Sequence, residues 1–334
     1  MVAVETSPGK GVRTGARVLA LLAVPLNGLI VHSLGNGPMR QSDLHRELGN
    51  PAQTTLRGHL AKLKALGAVR RQMNGDRAHV VENELTDKGE ELLVVIESLA
   101  VWLARSPGGP VPLGSEQAKG AVKALAGAWE STVLCTLARA PLSLTQLDRL
   151  IGPLSYPALE RRLAAMRATG LVEEVKGGDG RSHSVTAWAR RGVGPIAAAA
   201  RFERLFMEAE TPPLEPADVE AAFLLATPIA DLPENADGVC SLAAETGDGD
   251  ARRFAGVEVA VSRGQVVSCT ARVNGSPRNW VLGTAPAWLE AVVHHRPESL
   301  RIGGDRHLAR GLVRGLHELL FASNRTARAQ ICGE

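Results

Sequence analysis

The chain repeats itself: over some ninety positions, residue n and residue n + 103 are of the same kind. Leu22 matches Leu125, Pro38 matches Pro141, Leu44 matches Leu147 and Arg46 matches Arg149. Gly49 matches Gly152, Leu56 matches Leu159, Leu60 matches Leu163, Gly67 matches Gly170 and Val69 matches Val172. The phase is expected to run on without a gap through Gly75-Asp76 with Gly178-Asp179 and Gly89 with Gly192. Glycines and leucines hold phase in this way where one backbone is built twice. A length of 334 residues suits two or three domains. The spacing predicts a tail over 1–14, a first module over 15–105, a linker over 106–117, a second module over 118–210 and a further domain over 216–330.

Within the first copy, Pro38 to Arg71 reads as helix, tight turn, helix and the start of a strand. Ser42 is expected to cap a short helix that buries Leu44 and Leu48, and Gly49 to end it in the left-handed region. Asn50-Pro51 is expected to start the next helix, asparagine as N-cap and proline at the first position. Leu56, Leu60 and Leu63 then form one buried stripe. Asn74-Gly75 suits a type I′ hairpin tip, after which Leu85-Thr86-Asp87 opens another helix. Helix-turn-helix, basic hairpin and helix make a winged helix, so the whole is predicted as an α+β multidomain chain with two tandem winged helix-turn-helix domains.

The outward face of the second helix carries short hydrogen-bonding side chains first and cations later. That order suits a helix that reads base edges and touches phosphates. The candidate contacts to double-stranded DNA are Arg40, Gln53, Thr54, Thr55, Arg57, His59, Lys62, Lys64, Arg70, Arg71 and Arg77. The alternative is an amphipathic helix with a solvated basic face. Net charge is only +3, yet between residues 40 and 77 eight Arg and Lys side chains face only Asp43, Glu47 and Asp76. A local basic patch in a near-neutral chain is the footprint expected for duplex binding. In the second copy Arg161, Arg162, Arg167 and Arg181 are candidates, but Glu160 stands where the first copy has Arg57. That module is either a weaker DNA reader or a packing module.

The first module resembles the HxlR branch of the winged-helix regulators, relatives of the MarR family. The resemblance rests on S-D-L-H-R-E-L-G, L-R-G-H-L-A-K-L-K-A-L-G-A-V, the L-T-D-K-G after the wing and the helix ending in Trp102-Leu103. The second module shows the same layout, with Trp129 and L-E-R-R-L-A-A-M-R-A-T-G-L-V-E-E. The resemblance implies DNA binding, dimerisation through terminal helices and, in some members, oxidant sensing by a cysteine near the N-terminus. No cysteine stands in this first module, so thiol switching does not carry over. With two modules in one polypeptide, an intramolecular pseudo-dimer is expected, with a true homodimer as the competing arrangement.

Pro212-Pro213 marks a boundary. Short β-like runs follow at 221–226, 238–243, 256–262, 265–273 and 280–282, with Arg263-Gly264 as a turn. Thr284 and Pro286 are expected to open a helix, and Leu308, Leu312, Leu316 and Leu319 fall at helical spacing. A curled antiparallel sheet with helices on one face is predicted. V-L-G-T-A-P-A-W-L-E-A-V-V and L-R-I-G-G-D-R-H-L-A-R-G-L resemble the sterol-carrier-protein family, which implies a sheltered small apolar ligand. Trp280, Trp288, Val292, Leu312 and Leu316 are placed on the wall of its cavity, or in an ordinary core.

Four scattered cysteines, Cys135, Cys240, Cys269 and Cys332, make no zinc or disulfide pattern, so a reducing cytoplasm is expected. The apolar run Val18 to Leu34 contains Pro25, Asn27 and His32 and is expected to be a buried helix, with no membrane partner. His294, His295, His307 and His317 lack metal-ligand spacing, and no catalytic dyad or phosphate loop appears, so neither an enzyme nor a cofactor is expected. Two functions remain. One is a transcription regulator controlled by a small apolar ligand in the C-terminal domain; the other is a tandem winged-helix scaffold that grips partner proteins.

Overall fold

The computed structural model describes residues 14–73, 81–152, 154–177, 180–207, 213–246, 253–271 and 277–321. Residues 1–13 of the expected tail, Arg77, the Asn74-Gly75 and Gly178-Asp179 turns, Pro212 and residues 322–334 with Cys332 lie outside them. Among the described residues no single helix is long and apolar enough to cross a membrane. The apolar run expected as one helix is two, α1 (Ala16–Leu22) and α2 (Pro25–Leu34), which meet at 87°. Pro25 causes the break, because its fixed φ and missing N–H suit a new first turn.

Helix α3 (Gln41–Glu47) has Arg40, not Ser42, at its N-cap. Met39 and Asn83 exchange backbone hydrogen bonds of 2.9 and 2.7 Å, which hold the chain extended up to Arg40. Helix α4 (Gln53–Ala65) likewise starts later than expected. Gly49 and Asn50 both take left-handed backbone, at φ 76 and 58, and the Asn50 N–H donates to the His45 carbonyl. Asn50 is therefore a turn residue, and Ala52 stands at the N-cap. Leu56, Leu60 and Leu63 are buried as the spacing predicted, whereas Leu48 is only half-buried. Strands β1 (Val69–Met73) and β2 (Val81–Leu85) pair antiparallel, and α5 (Asp87–Ala104) closes the module.

The second copy repeats these elements as α6 (Glu116–Ala126), α7 (Ala128–Leu137), α8 (Leu144–Ile151), α9 (Tyr156–Ala168), β3 (Val172–Gly177) and β4 (Gly180–Val185). Its last helix is broken into α10 (Ala187–Arg191) and α11 (Val193–Phe206), since Pro195 has no N–H to bond the Arg191 carbonyl. The gapless phase ends at the hairpin. Val69 pairs with Leu85, whereas Val172 pairs with Val185, so the second hairpin is three residues shorter. Beyond it the equivalent residue is n + 100. Met39–Asn83 becomes Leu142–His183, and the N-cap Thr86, bonded to the Gly67 carbonyl, becomes Thr186, bonded to that of Gly170. Gly89 thus corresponds to Ala189 and not to Gly192.

In the C-terminal unit, residues 221–226 are not a strand but the end of α12 (Pro216–Ala226). Pro216 and the reciprocal Glu215/Asp218 capping box nucleate that helix, and its alanines and leucines propagate it. The sheet runs in the order β7 (Gln265–Thr270), β6 (Arg253–Ser262), β5 (Gly238–Thr246), β8 (Trp280–Thr284), β9 (Arg301–Gly303). It is mixed and not wholly antiparallel, because β8 crosses to the far side of β5 and runs parallel to it. Arg263 and Gly264, at φ 50 and 75, form the expected tight turn between β6 and β7. Helices α12, α13 (Ala285–Val293) and α14 (Arg306–Phe321) cover one face, on which Cys240, Leu242, Ala244, Val257, Val259 and Val281 are fully buried.

The three units share a seam built on α11. Buried Arg201 bridges Glu91 of α5 and Glu290 of α13, the latter at 2.6 Å. Glu203, also buried, accepts from the N–H groups of Gly15 (2.6 Å) and Val18 (2.9 Å), capping α1, which has no cap of its own. Each buried charge here has its partners, without which burial would be strongly unfavourable.

Candidate nucleic-acid interface

Helix α4 is seated on the first module by its leucine stripe and by one polar latch. His59 Nδ1 lies 2.7 Å from Asn27 Oδ1 on α2, and Asn27 in turn donates to the Leu21 carbonyl. Burial, then the nearby Lys62 cation, pulls the His59 pKa below its ordinary value, so the ring is neutral at pH 7. His59 therefore locks α4 to α2 and does not face outward as a base reader. The second copy builds the same latch with other chemistry: Arg162 of α9 donates to Glu130 of α7 at 2.8 Å and lies over the Trp129 ring. Arg162 and Glu130 are His59 and Asn27 shifted by 103. Arg162 is thus withdrawn from the candidate contacts as well. Asn27 and Glu130 were missed by sequence reasoning, although their paired exchange across the repeat was a usable signal.

Gln53, Thr54, Thr55, Arg57, Lys62 and Arg40 all stand exposed on or beside α4. The helix has no side-chain cap and no acidic residue in its first turn, so its terminal N–H groups are open to an anion. Arg57 reaches back 3.5 Å to Gln53, within the same face. On the hairpin the arginines separate. Arg70 is held by Glu84 at 2.5 Å across the strands, while Arg71 acts on Lys64 as a nearby like charge, and among the described residues no carboxylate is ion-paired to either. Burial, then Arg71, pulls the Lys64 pKa below its ordinary value. Two like charges at the root of the wing oppose folding slightly and favour an external anion.

The equivalent place in the second module is neutralised. Arg167 and Glu174, the counterparts of Lys64 and Arg71, form an ion pair at 3.0 Å, and Arg181 approaches the same carboxylate at 3.7 Å. Arg161 is exposed and has no ion pair among the described residues. Where the first copy has Glu47 and Gln53, the second exposes Leu150 (61%) and Tyr156 (45%). The two copies share a frame and differ in the surface they offer.

The five residues assigned to a ligand wall do not come together. Trp280 lies on the sheet face away from the helices, its indole against Gly303, and Leu312 is packed in the filled interior at 0% exposure. Trp288, Val292 and Leu316 do border a cavity, but one that α1, α7, α11 and α12 complete. His294 leans toward Glu91, His295 stacks on His317 at 4.9 Å and His307 lies 3.2 Å from Asn235. Among the described residues no three His, Cys, Asp or Glu side chains converge as metal ligands would. Burial pushes the thiols of Cys240 and Cys269 up to about 12, which removes them as nucleophiles at neutral pH.

A family model described as HxlR-like helix-turn-helix matches residues 25–107. Over 75 residues the chain is 37% identical to YkvN of Bacillus subtilis, named as an uncharacterised HTH-type transcriptional regulator; the match covers 22% of this chain and 64% of that protein. It is 33% identical over 85 residues to another protein so named, from Halalkalibacterium halodurans, covering 25% of this chain and 75% of the relative. The chain thus spans just under two-thirds of the first of these relatives. No solved structure matches. The matched segment runs from α2 to just past α5 and contains the whole latch, the α4 face and the wing strands: the chain belongs to the HxlR-like helix-turn-helix family.

Proposed function

We propose that this protein is a cytoplasmic, non-enzymatic transcription regulator that binds double-stranded DNA through its first module. The observation that carries the reading is the contrast at the wing root. Lys64 and Arg71 stand together in the first copy with no ion pair among the described residues, and their counterparts Arg167 and Glu174 pair in the second. The first module then supplies the affinity. The second, a winged helix by its element order, packs against it and contributes Arg161 and Arg181 at most. The two make an intramolecular pseudo-dimer with unequal faces, suited to an asymmetric site. We read the C-terminal unit as sterol-carrier-like, and its helices α12, α13 and α14 as contributing to the response to a small apolar ligand.

The test is titration of the full chain with the duplex upstream of its own gene at several salt concentrations. Counterion release makes log affinity fall linearly with log salt, about 0.9 per phosphate neutralised. The combined change Arg57→Ala with Lys64→Ala is expected to weaken binding by a few kcal/mol if each interaction contributes about 1–3. Unchanged affinity at moderate salt sinks the reading. Exposed Leu150 and Tyr156 favour a second reading for the second module alone, a surface that grips a partner protein. Binding that is insensitive to salt would favour that scaffold.

A further inference from the structure

The cavity bordered by Trp288 belongs to no single unit. Leu19 of α1, Leu134 and Cys135 of α7, Ala197 of α11, Phe223 of α12 and Trp288 of α13 surround a space of about 160 Å³. That is the size of an apolar cavity, ~150 Å³, which admits benzene. Its walls are almost wholly apolar. The Trp288 indole N–H is already given to the Ala243 carbonyl at 2.8 Å, and the ring meets Phe223 edge-on at 4.7 Å, so it offers only hydrocarbon. Asp218, at the rim, is exposed, and its carboxylate accepts the Glu215 N–H at the start of α12. Thr14 and Ser131 add two hydroxyls to the lining, but among the described residues no cationic side chain lines it, so a buried carboxylate would have no counter-charge.

We infer that this three-way seam, and not the interior of the C-terminal unit, is the binding site for a small neutral aromatic molecule of one or two rings. The interior is already filled by Cys240, Leu242, Val259 and Leu312, each at 0% exposure. The inference rests on the ligand-controlled regulator reading for its biological sense and relocates the sensor. Its coupling route is short, two helices and the ion pairs and hydrogen bonds they carry. Helix α7, which brings Leu134 and Cys135 to the cavity, also carries Glu130, which holds α9 through Arg162. Helix α11, which brings Ala197, also carries Arg201 and Glu203, which hold α5, α13 and α1. An occupant that favours one setting of α7 and α11 biases how the two modules sit, and DNA affinity follows it.

The test uses the full chain and indole as the probe, with benzoate as the charged control. Calorimetry should find one indole per chain and no benzoate. Ala197→Phe and Ala222→Phe, made separately to fill the cavity from two helices, should each weaken indole at least tenfold while the chain still melts in one transition. Val267→Ser, on the outer sheet face, should leave it unchanged. Saturating indole should change duplex affinity by about 5- to 150-fold, the usual range of coupling. No indole binding to the natural chain, or equal binding to both filled variants, overturns the site. Indole bound at the seam with duplex affinity unmoved overturns its role as sensor. Indole bound by a chain that binds no duplex supports the site and sinks the regulator reading instead.

Discussion

Trp102 and Trp188 stack face to face, 4.4 Å between centroids and 1° between planes, and each donates its indole N–H to the other's carbonyl, at 2.9 and 2.8 Å. One comes from the last helix of the first module, the other from α10 of the second. Shifted by 100, the same two positions are Phe202 and Lys88, and there the lysine ammonium lies 5.9 Å from the phenyl centroid. Equivalent positions of the repeat thus meet twice between the modules, once as an aromatic stack and once as a cation–π pair. Trp102→Phe keeps a ring but leaves the Trp188 carbonyl without its buried donor. We expect a loss of about 1–3 kcal/mol, read by urea denaturation. A change under a few tenths would mean that the pair does not hold the modules together.

Arg71→Glu copies the second module's carboxylate into the first, beside Lys64. Duplex affinity should fall tenfold or more, and the salt slope should shrink by about two, because Arg71 no longer meets a phosphate and Lys64 is neutralised by the new carboxylate. Thermal stability should hold or rise, because a repulsion becomes an attraction. Weaker binding accompanied by unfolding would refute this account.

The α7–α9 latch can be rewritten as the α2–α4 latch. Glu130→Asn or Arg162→His alone should each destabilise the chain by about 1 kcal/mol, since each leaves half of a partly exposed charged pair. Together they recreate the first module's pair and should recover part of the loss. Strict additivity in the double-mutant cycle would show that the two positions are not coupled.

Glu91 gives the seam its pH dependence. The His294 ring and the Arg201 guanidinium hold its pKa below the ordinary value of 4.5, against burial, which raises it. A depressed carboxylate stabilises the fold above its unfolded pKa, and the contribution is lost as pH falls through the folded value. The stability gap between the natural chain and Glu91→Gln should therefore be full at pH 6 and close progressively below about 4.5. A gap that stays constant down to pH 3 would be inconsistent with it.

Sedimentation of the chain with a saturating short duplex should give one chain per duplex over about two helical turns, as a pseudo-dimer requires. Two chains over a palindrome would replace it by a true homodimer.

The legible parts of this chain were those where one residue type has one structural use. Leu56, Leu60 and Leu63 could only be a buried stripe, and Gly49, Gly67, Gly152 and Gly170 all take positive φ. The α4 face could be read because cations among short polar side chains are visible in any register. The three-residue contraction of the second hairpin was hidden because both tips read Gly-Asp, and a chance Gly89–Gly192 match lay just beyond. Polar side chains inside apolar runs are harder to read: Asn27 interrupts the apolar pattern, yet in the fold it holds α4 through His59. The seam cavity had no signal, since Ala197, Ala200 and Ala222 look like ordinary helix alanines until three units meet around them.

The cap on α1 sets an order of assembly during synthesis. The Gly15 N–H waits for a carboxylate 188 residues further along the chain. While the ribosome is making the second module, α2 to α5 can already close around Leu44, Leu56 and Leu92, but α1 has neither its cap nor the α11 surface it packs on. Val18, Leu19 and Leu22, buried in the finished protein, can then be covered by α6 but not yet by α11. A chain ending before Glu203 therefore lacks both the cap on α1 and the α11 surface that α1 packs on.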